Sequence, residues 1–322
     1  MFINSNMGDN LFHSQRTLAF WQNYTGPKRI DFSMGTHASA ELSGLVGVPS
    51  KIWDNARAWV NYYLLDIPNG VPSEPHVSFE VENHQLQPVQ HVTFTSWPPT
   101  DGGWQELRFA LGKRAAAYGT LTRTAAAPQR IGHSSPQRSS SSNGSVDVIS
   151  FMEHDDVMST GFPGISDALE PFLPIVADLA KTNPKTSVVY LSPAFADGLR
   201  VCGAPRMERL MLVPRQVRFQ LVAYLYSVDP ATTRGRLISH APLTAWNGTA
   251  GTPVMPPPYE LHAACFDVPK GHMIGLGFDM YDVLYEPATS NTSAVLEVVY
   301  GGSDATASPT LVLPVAGMRN GH

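Results

Sequence analysis

The sequence predicts a short α/β segment followed by an all-β sandwich, within one chain of 322 residues. Three observations predict it. Residues 1–76 alternate strand-like apolar runs with helical stripes, whereas from Val77 onward short alternating runs recur between Gly, Pro, Asn and Asp turns. Charged residues make up only 15% of the chain, beside 27 prolines and 26 glycines, a balance that favours short strands and turns over long helices.

The α/β segment reads element by element. Phe2 and Ile3 open a strand that runs into the turn Asn6-Met7-Gly8-Asp9. Leu11, Leu18 and Trp21 share one face of a helix that Gly26-Pro27 stops. Ile30, Phe32 and Met34 alternate as a second strand leading to Gly35-Thr36-His37. A second helix begins near Ser50, with Ile52, Trp53, Ala56, Trp59, Val60 and Tyr63 as its apolar stripe, and Asn69-Gly70-Val71-Pro72 breaks it. Two parallel strands alone would leave an unpaired edge, so the segment asks for a partner chain, an oligomer or further strands of the same fold.

Runs such as HVSFEV, HVTFTSW, WQELRFAL, VRFQLVAYLYSV, MIGLGFDMYDV and TLVLPV fill the remainder, residues 77–322. They predict a two-sheet sandwich in which Phe219, Leu221, Ala223 and Leu225 point inward. Residues 124–145, rich in Ser, Pro and Arg, predict a mobile surface loop. A helix over about Ser166–Lys181 would bury Leu169, Phe172, Leu173, Val176 and Leu179, with Pro171 in its first turns and Pro174 against it.

Composition excludes several classes. A formal charge of −5 offers no basic footprint for nucleic acid, and no apolar run approaches the length needed to cross a bilayer. Cys202 and Cys265 form neither a disulfide framework nor a metal cluster in the sequence and read as buried free thiols. No signal-peptide pattern opens the chain, so the sequons at Asn23, Asn143, Asn247 and Asn291 read as chance. The compartment stays open, with the cytoplasm favoured.

The chemistry-bearing pair is Asp9 and His37, each closing an apolar run. Functional side chains gather past the carboxyl ends of parallel strands. An aspartate then a histidine at two such ends are the last two members of a Ser…Asp…His triad in α/β-hydrolase chain order. No G-x-S-x-G occurs. The looser matches Gly164–Ala168 and Gly301–Ala305 follow His37, and they read as a helix N-cap at Ser166 and a hairpin turn at Ser303. Glu153-His154-Asp155-Asp156 reads as a solvated loop, His76, His84 and His91 lack partners for zinc, and His272 reads as a turn residue. No cofactor or metal is expected.

These stretches resemble the C-terminal part of the CocE/X-Pro dipeptidyl-peptidase group of serine hydrolases. INSNMGDNLF is similar to the loop carrying that family's triad aspartate, and PKRIDFSMGTH to its histidine loop. WVNYYLLDIPNGVPSEPHVSFEV is similar to its interdomain link, TFTSWPPT to the start of its jelly roll, and VRFQLVAYLYSVDPATTRGRLISHA and FDVPKGHMIGLGF to its late strands. The resemblance implies the rear of an α/β-hydrolase sheet over 1–76 and a jelly roll over 77–322. It also implies triad roles for Asp9 and His37 and a peptide or acyl-ester substrate. The family's nucleophile elbow and cap would precede Met1, and Met273 stands where a basic residue is common. The isolated chain is therefore expected to be inactive. The alternative is a non-catalytic jelly-roll binding module or a truncated gene product.

Overall fold

β1 (Phe2–Asn6) and β2 (Arg29–Ser33) run parallel along their whole length, with Phe2 opposite Arg29 and Asn6 opposite Ser33. The structure is a computed structural model that describes residues 1–317 apart from 38–39, 46, 84–89, 101–102, 126–144, 153–156, 160–173, 247, 289–292 and 301–307. Between the two strands, α1 (Ser14–Asn23) buries Leu18 and Trp21, which stand three positions apart on one face of the helix. Leu11, expected on that face, lies before the helix and is exposed. The short α2 (Leu42–Leu45) and the longer α3 (Lys51–Leu64) follow β2.

β3 (Val77–Val81) pairs in parallel with β2, and β4 (Gln90–Phe94) lies antiparallel on β3, so the sheet order is β1-β2-β3-β4. The sheet therefore runs past residue 76 and includes strands whose sequence alternation matches the β sandwich. Val77 and Phe79 point into the same core as Ile30 and Phe32, and the Phe32 and Phe79 rings stack at 4.4 Å. On the other face, Asp31 holds α3 in place. It accepts Asn55 Nδ2 at 2.7 Å and a bidentate pair from Arg29 at 2.9 and 3.0 Å.

α3 departs from expectation. Its stripe is amphipathic, yet none of its residues is buried, and Trp53 and Val60 are exposed. The helix lies over β1, the outermost strand, where Trp59 meets Phe2 at 6.2 Å. No strand stands beyond β1 among the described residues to cover the rest of the stripe.

The larger unit is almost entirely strand. In chain order it holds β5 (Trp104–Gly112), β6 (Gly119–Thr124), β7 (Val146–Ser150), β8 (Val176–Asp178), β9 (Ser187–Leu191), β10 (Leu199–Gly203), β11 (Arg206–Glu208) and β12 (Met211–Pro214). There follow β13 (Phe219–Val228), β14 (Arg234–Ala245), β15 (Tyr259–Glu260), β16 (Ala264–Val268), β17 (Met273–Asp279), β18 (Val295–Val299) and β19 (Thr310–Ala316). One curled sheet follows the order β15-β11-β19-β5-β6-β9-β17-β13-β14-β8, with β10 joining β19 to β16. A second sheet, β12-β18-β7, packs on it, so Ile149, Leu212, Leu296 and Val298 share a core with Phe109, Leu221, Phe266 and Phe278.

One expectation holds and two are corrected here. Phe219, Leu221, Ala223 and Leu225 do face the main core, but Val222, Tyr224, Tyr226 and Val228 on the opposite face are buried too, in a second cluster with Ala177, Leu179 and Val189. A strand flanked by β14 and β17 and covered on both sides loses its solvent face. Residues 174–181 form no helix: β8 pairs with β14 and a single 3-10 turn follows, while 160–173 lie outside the described residues. The strand satisfies its backbone on the edge of a sheet, which Pro174 would have hindered in a helix.

The second correction concerns the cysteines. Cys202 on β10 lies directly opposite Cys265 on β16, and the two form a disulfide rather than free thiols. Only the register of two strands 63 residues apart brings them together. The bridge is buried in the core that also holds Ile30, Phe32 and Phe79, so it lies where the two units meet. No helix among the described residues is long and apolar enough to cross a membrane. The loop expected over 124–145 falls almost wholly outside the described residues, as do Ser166, Ser303, residues 153–156 and three of the four sequons. Asn23, the fourth, is exposed at the end of α1.

Candidate active site

Both candidate residues sit on loops that leave the carboxyl ends of adjacent parallel strands. Backbone hydrogen bonds join these loops: Met7 N–H donates to Ser33 O and Gly8 N–H to Gly35 O, each at 2.9 Å. Asn6 adds a buried side-chain bond to Thr36 O at 2.8 Å. Gly35 has φ 125°, a conformation that a side chain would strain, and it turns the second loop back over the first.

The result is a direct contact. His37 Nδ1 lies 3.2 Å from Asp9 Oδ2. The carboxylate's other oxygen accepts the backbone amides of Leu11 at 2.8 Å and Phe12 at 2.9 Å, so Asp9 is held in one orientation from both ends. An ionised carboxylate only accepts hydrogen bonds, so Nδ1 carries the proton and Nε2 of a neutral His37 keeps its lone pair. The aspartate is buried while the imidazole is 41% exposed, with Phe12 packed against it at 5.4 Å between ring centroids. Such a pair can take a proton at Nε2 and stabilise the resulting imidazolium, provided a proton donor arrives from outside the pair.

Leu11, Phe12 and Phe20 form an exposed apolar face beside His37, with His13, Arg16 and Thr17 completing a shallow open groove. The histidines at 76 and 91 are exposed and lie apart from this groove; His91 stands opposite Glu80 in the β3–β4 ladder. Burial raises the carboxyl of Glu80, opposed by its hydrogen bond from the Met34 amide, and burial also lowers His91. His272 closes the turn into β17, with Nδ1 3.2 Å from Ser227 Oγ.

Three histidines that sequence patterning does not single out gather behind the site. His13, His262 and His240 come from a loop, a strand connection and β14, far apart in the chain and with no shared motif. Among the described residues, no group of three His, Cys, Asp or Glu side chains is arranged to hold a metal ion.

A family model described as the X-Pro dipeptidyl-peptidase C-terminal non-catalytic domain matches residues 69–282. The chain belongs to this family. The matched stretch covers most of the β-rich unit and leaves Asp9 and His37 outside it. No curated protein sequence matches the chain.

Solved structures give the same picture at the level of fold. A CocE/NonD family hydrolase from Staphylococcus aureus aligns with 98% of the chain at TM-score 0.64 and 10% identity. An aminopeptidase from a marine sediment archaeon, Thaumarchaeota archaeon, aligns with 98% at TM-score 0.62 and 12% identity. An α-amino acid ester hydrolase aligns with 96% at TM-score 0.59 and 15% identity. The chain spans about half of each of them, 54%, 55% and 54% of their lengths respectively.

Proposed function

We propose that this chain is the rear portion of a serine hydrolase of the X-Pro dipeptidyl-peptidase and CocE type, with Asp9 orienting His37 as the general base. On this reading the β1–β3 segment is part of an α/β-hydrolase sheet and the β-rich unit is its jelly roll. The contact of His37 Nδ1 with Asp9 Oδ2, with Asp9 locked by two amides, carries the reading. It is the arrangement that fixes an imidazole tautomer for acyl transfer.

The nucleophile comes from another segment. The unpaired edge of β1, the uncovered stripe of α3 and the apolar face at Leu11, Phe12 and Phe20 mark where such a segment would lie. Its parallel strand would extend the sheet beyond β1, and a serine at that strand's end would stand on the same rim as Asp9 and His37. The substrate is a peptide or acyl ester.

A fluorophosphonate probe tests this directly. The isolated chain should take no label and leave p-nitrophenyl esters and X-Pro peptides intact. Co-expression with an in-frame upstream segment carrying G-x-S-x-G should restore labelling on that serine, and His37→Ala should abolish it. Labelling of the isolated chain at Ser166 would overturn the reading. A second reading, a non-catalytic binding module, is favoured by the family match itself, which is to a non-catalytic domain. It predicts that complementation restores nothing.

A further inference from the structure

Three imidazoles stand in a row across the seam between the α/β segment and the β-rich unit. The rings of His13 and His262 are 4.9 Å apart between centroids, and those of His262 and His240 are 4.7 Å apart. His13 directly precedes α1, and its carbonyl accepts the amides of Arg16 and Thr17 that begin the helix. His262 lies between β15 and β16, where its amide donates to His240 O at 3.1 Å and its carbonyl accepts Ser239 Oγ at 2.7 Å. The row ends at Tyr285, whose hydroxyl is 2.8 Å from His240 Nδ1.

The middle ring is the telling one. His262 is 1% exposed and neither of its ring nitrogens has a hydrogen-bond partner. Histidines face it on both sides. Among the described residues, the other titratable groups along the row are Tyr285, with Asp282 and Tyr259 behind it, and no carboxylate acts on His262 itself. On the outer side, His13 Nε2 lies 3.2 Å from Asn10 O. A proton added to His262 would sit in a closed seam where neither ring nitrogen has a hydrogen-bond partner to share the charge. Separating the seam is the direct way to hydrate that charge.

What the seam holds is the loop of the candidate site. Asp9 is fixed by the amides of Leu11 and Phe12, and the next residue is His13. We propose that His13, His262 and His240 form a proton-sensitive latch that holds the Asp9 loop on the β-rich unit while neutral and releases it on protonation. The latch rests on the proposed function only for the meaning of that loop; its mechanics stand on the seam alone. Burial and then the nearby His13 push the His240 imidazole down to about 3, and burial with both neighbours pushes His262 well below its ordinary value. The neutral latch is thus the state compatible with the closed seam, and acid acts against it. Ser14 and Ala263 supply a non-titrating hold beside it, Ala263 N–H donating to Ser14 Oγ at 2.9 Å.

Hydrogen exchange on the full chain tests the latch without any need for catalysis. Once corrected for intrinsic rates, residues 7–17 should exchange about tenfold faster at about pH 5 than at about pH 7.5, while β13 and β17 stay protected. In His262→Phe the pH dependence of residues 7–17 should disappear, and His262→Gln serves if the Phe variant does not fold. A rise that persists in the folded variant, a rise shared equally by β13, or no rise in the parent chain overturns the proposal. Imidazole proton resonances of the parent chain give a check free of mutation. Titration of His262 near its ordinary value while residues 7–17 stay protected also overturns it. Failure of fluorophosphonate labelling after complementation would count against the hydrolase reading and leave the latch standing.

Discussion

Ser14 and Ala263 are 249 residues apart, yet the Ala263 amide donates to Ser14 Oγ at 2.9 Å and the hydroxyl lies 3.3 Å from the Ala263 carbonyl. One buried hydroxyl thus serves both backbone groups of a residue in the other unit, at the first position of α1. The contact sets where the helix after Asp9 begins relative to the disulfide strand β16.

Replacing that hydroxyl should be costly for its size. Ser14→Ala leaves the buried Ala263 amide without its acceptor, a loss of about 1–3 kcal/mol. Urea denaturation of the two proteins should show a lower midpoint with an unchanged slope. Equal midpoints would mean that the seam repacks around the missing oxygen.

The disulfide should stabilise the folded chain by constraining the unfolded one. Closing a loop of this length contributes about 2–4 kcal/mol, so Cys202→Ala with Cys265→Ala should lower stability by that order. Peptide mapping without reductant should recover the two cysteine peptides joined. Two thiols titrated in the unreduced, unfolded protein would show that the bridge does not form.

Asp9 should govern the tautomer of His37. Asp9→Asn retains one oxygen for the Leu11 and Phe12 amides but turns an amide donor toward the ring, which then accepts at Nδ1 and carries its proton at Nε2. Nitrogen NMR of neutral His37 should report the unprotonated atom as Nε2 in the parent and Nδ1 in the variant. The same tautomer in both would sever the link between the two side chains.

Stability should fall in mild acid. His240 and His262 have folded-state values below the unfolded histidine value, so the unfolded chain binds more protons once the pH drops below about 6.5. Their contribution is fully present above that value and is lost progressively as the pH falls toward the folded value, which is about 3 for His240. At about pH 5 the loss is roughly 2 kcal/mol for His240, and His262 adds a loss of the same sign. Urea midpoints measured across this window should decline in the parent and decline less in His262→Phe. Parallel declines would place the acid sensitivity elsewhere.

Local pattern made part of this molecule legible. Alternation at Ile30 and Phe32 and the stops at Gly26-Pro27 are short-range signals, and they mark β2 and the end of α1 because neighbouring residues decide them. Asp9 and His37 stood out for the same reason, each following directly on its own strand. Tertiary structure alone decided the rest. The burial of both faces of β13 depends on a layer supplied by other strands, and residues 176–178 become a strand because β14 offers an edge to pair with. Cys202 meets Cys265 only through the register of β10 and β16, and three unrelated histidines meet only where the two units close on one another. Local sequence encodes the preferences of a segment, whereas pairing, layering and seams depend on residues distant in the chain, which no window of neighbours contains.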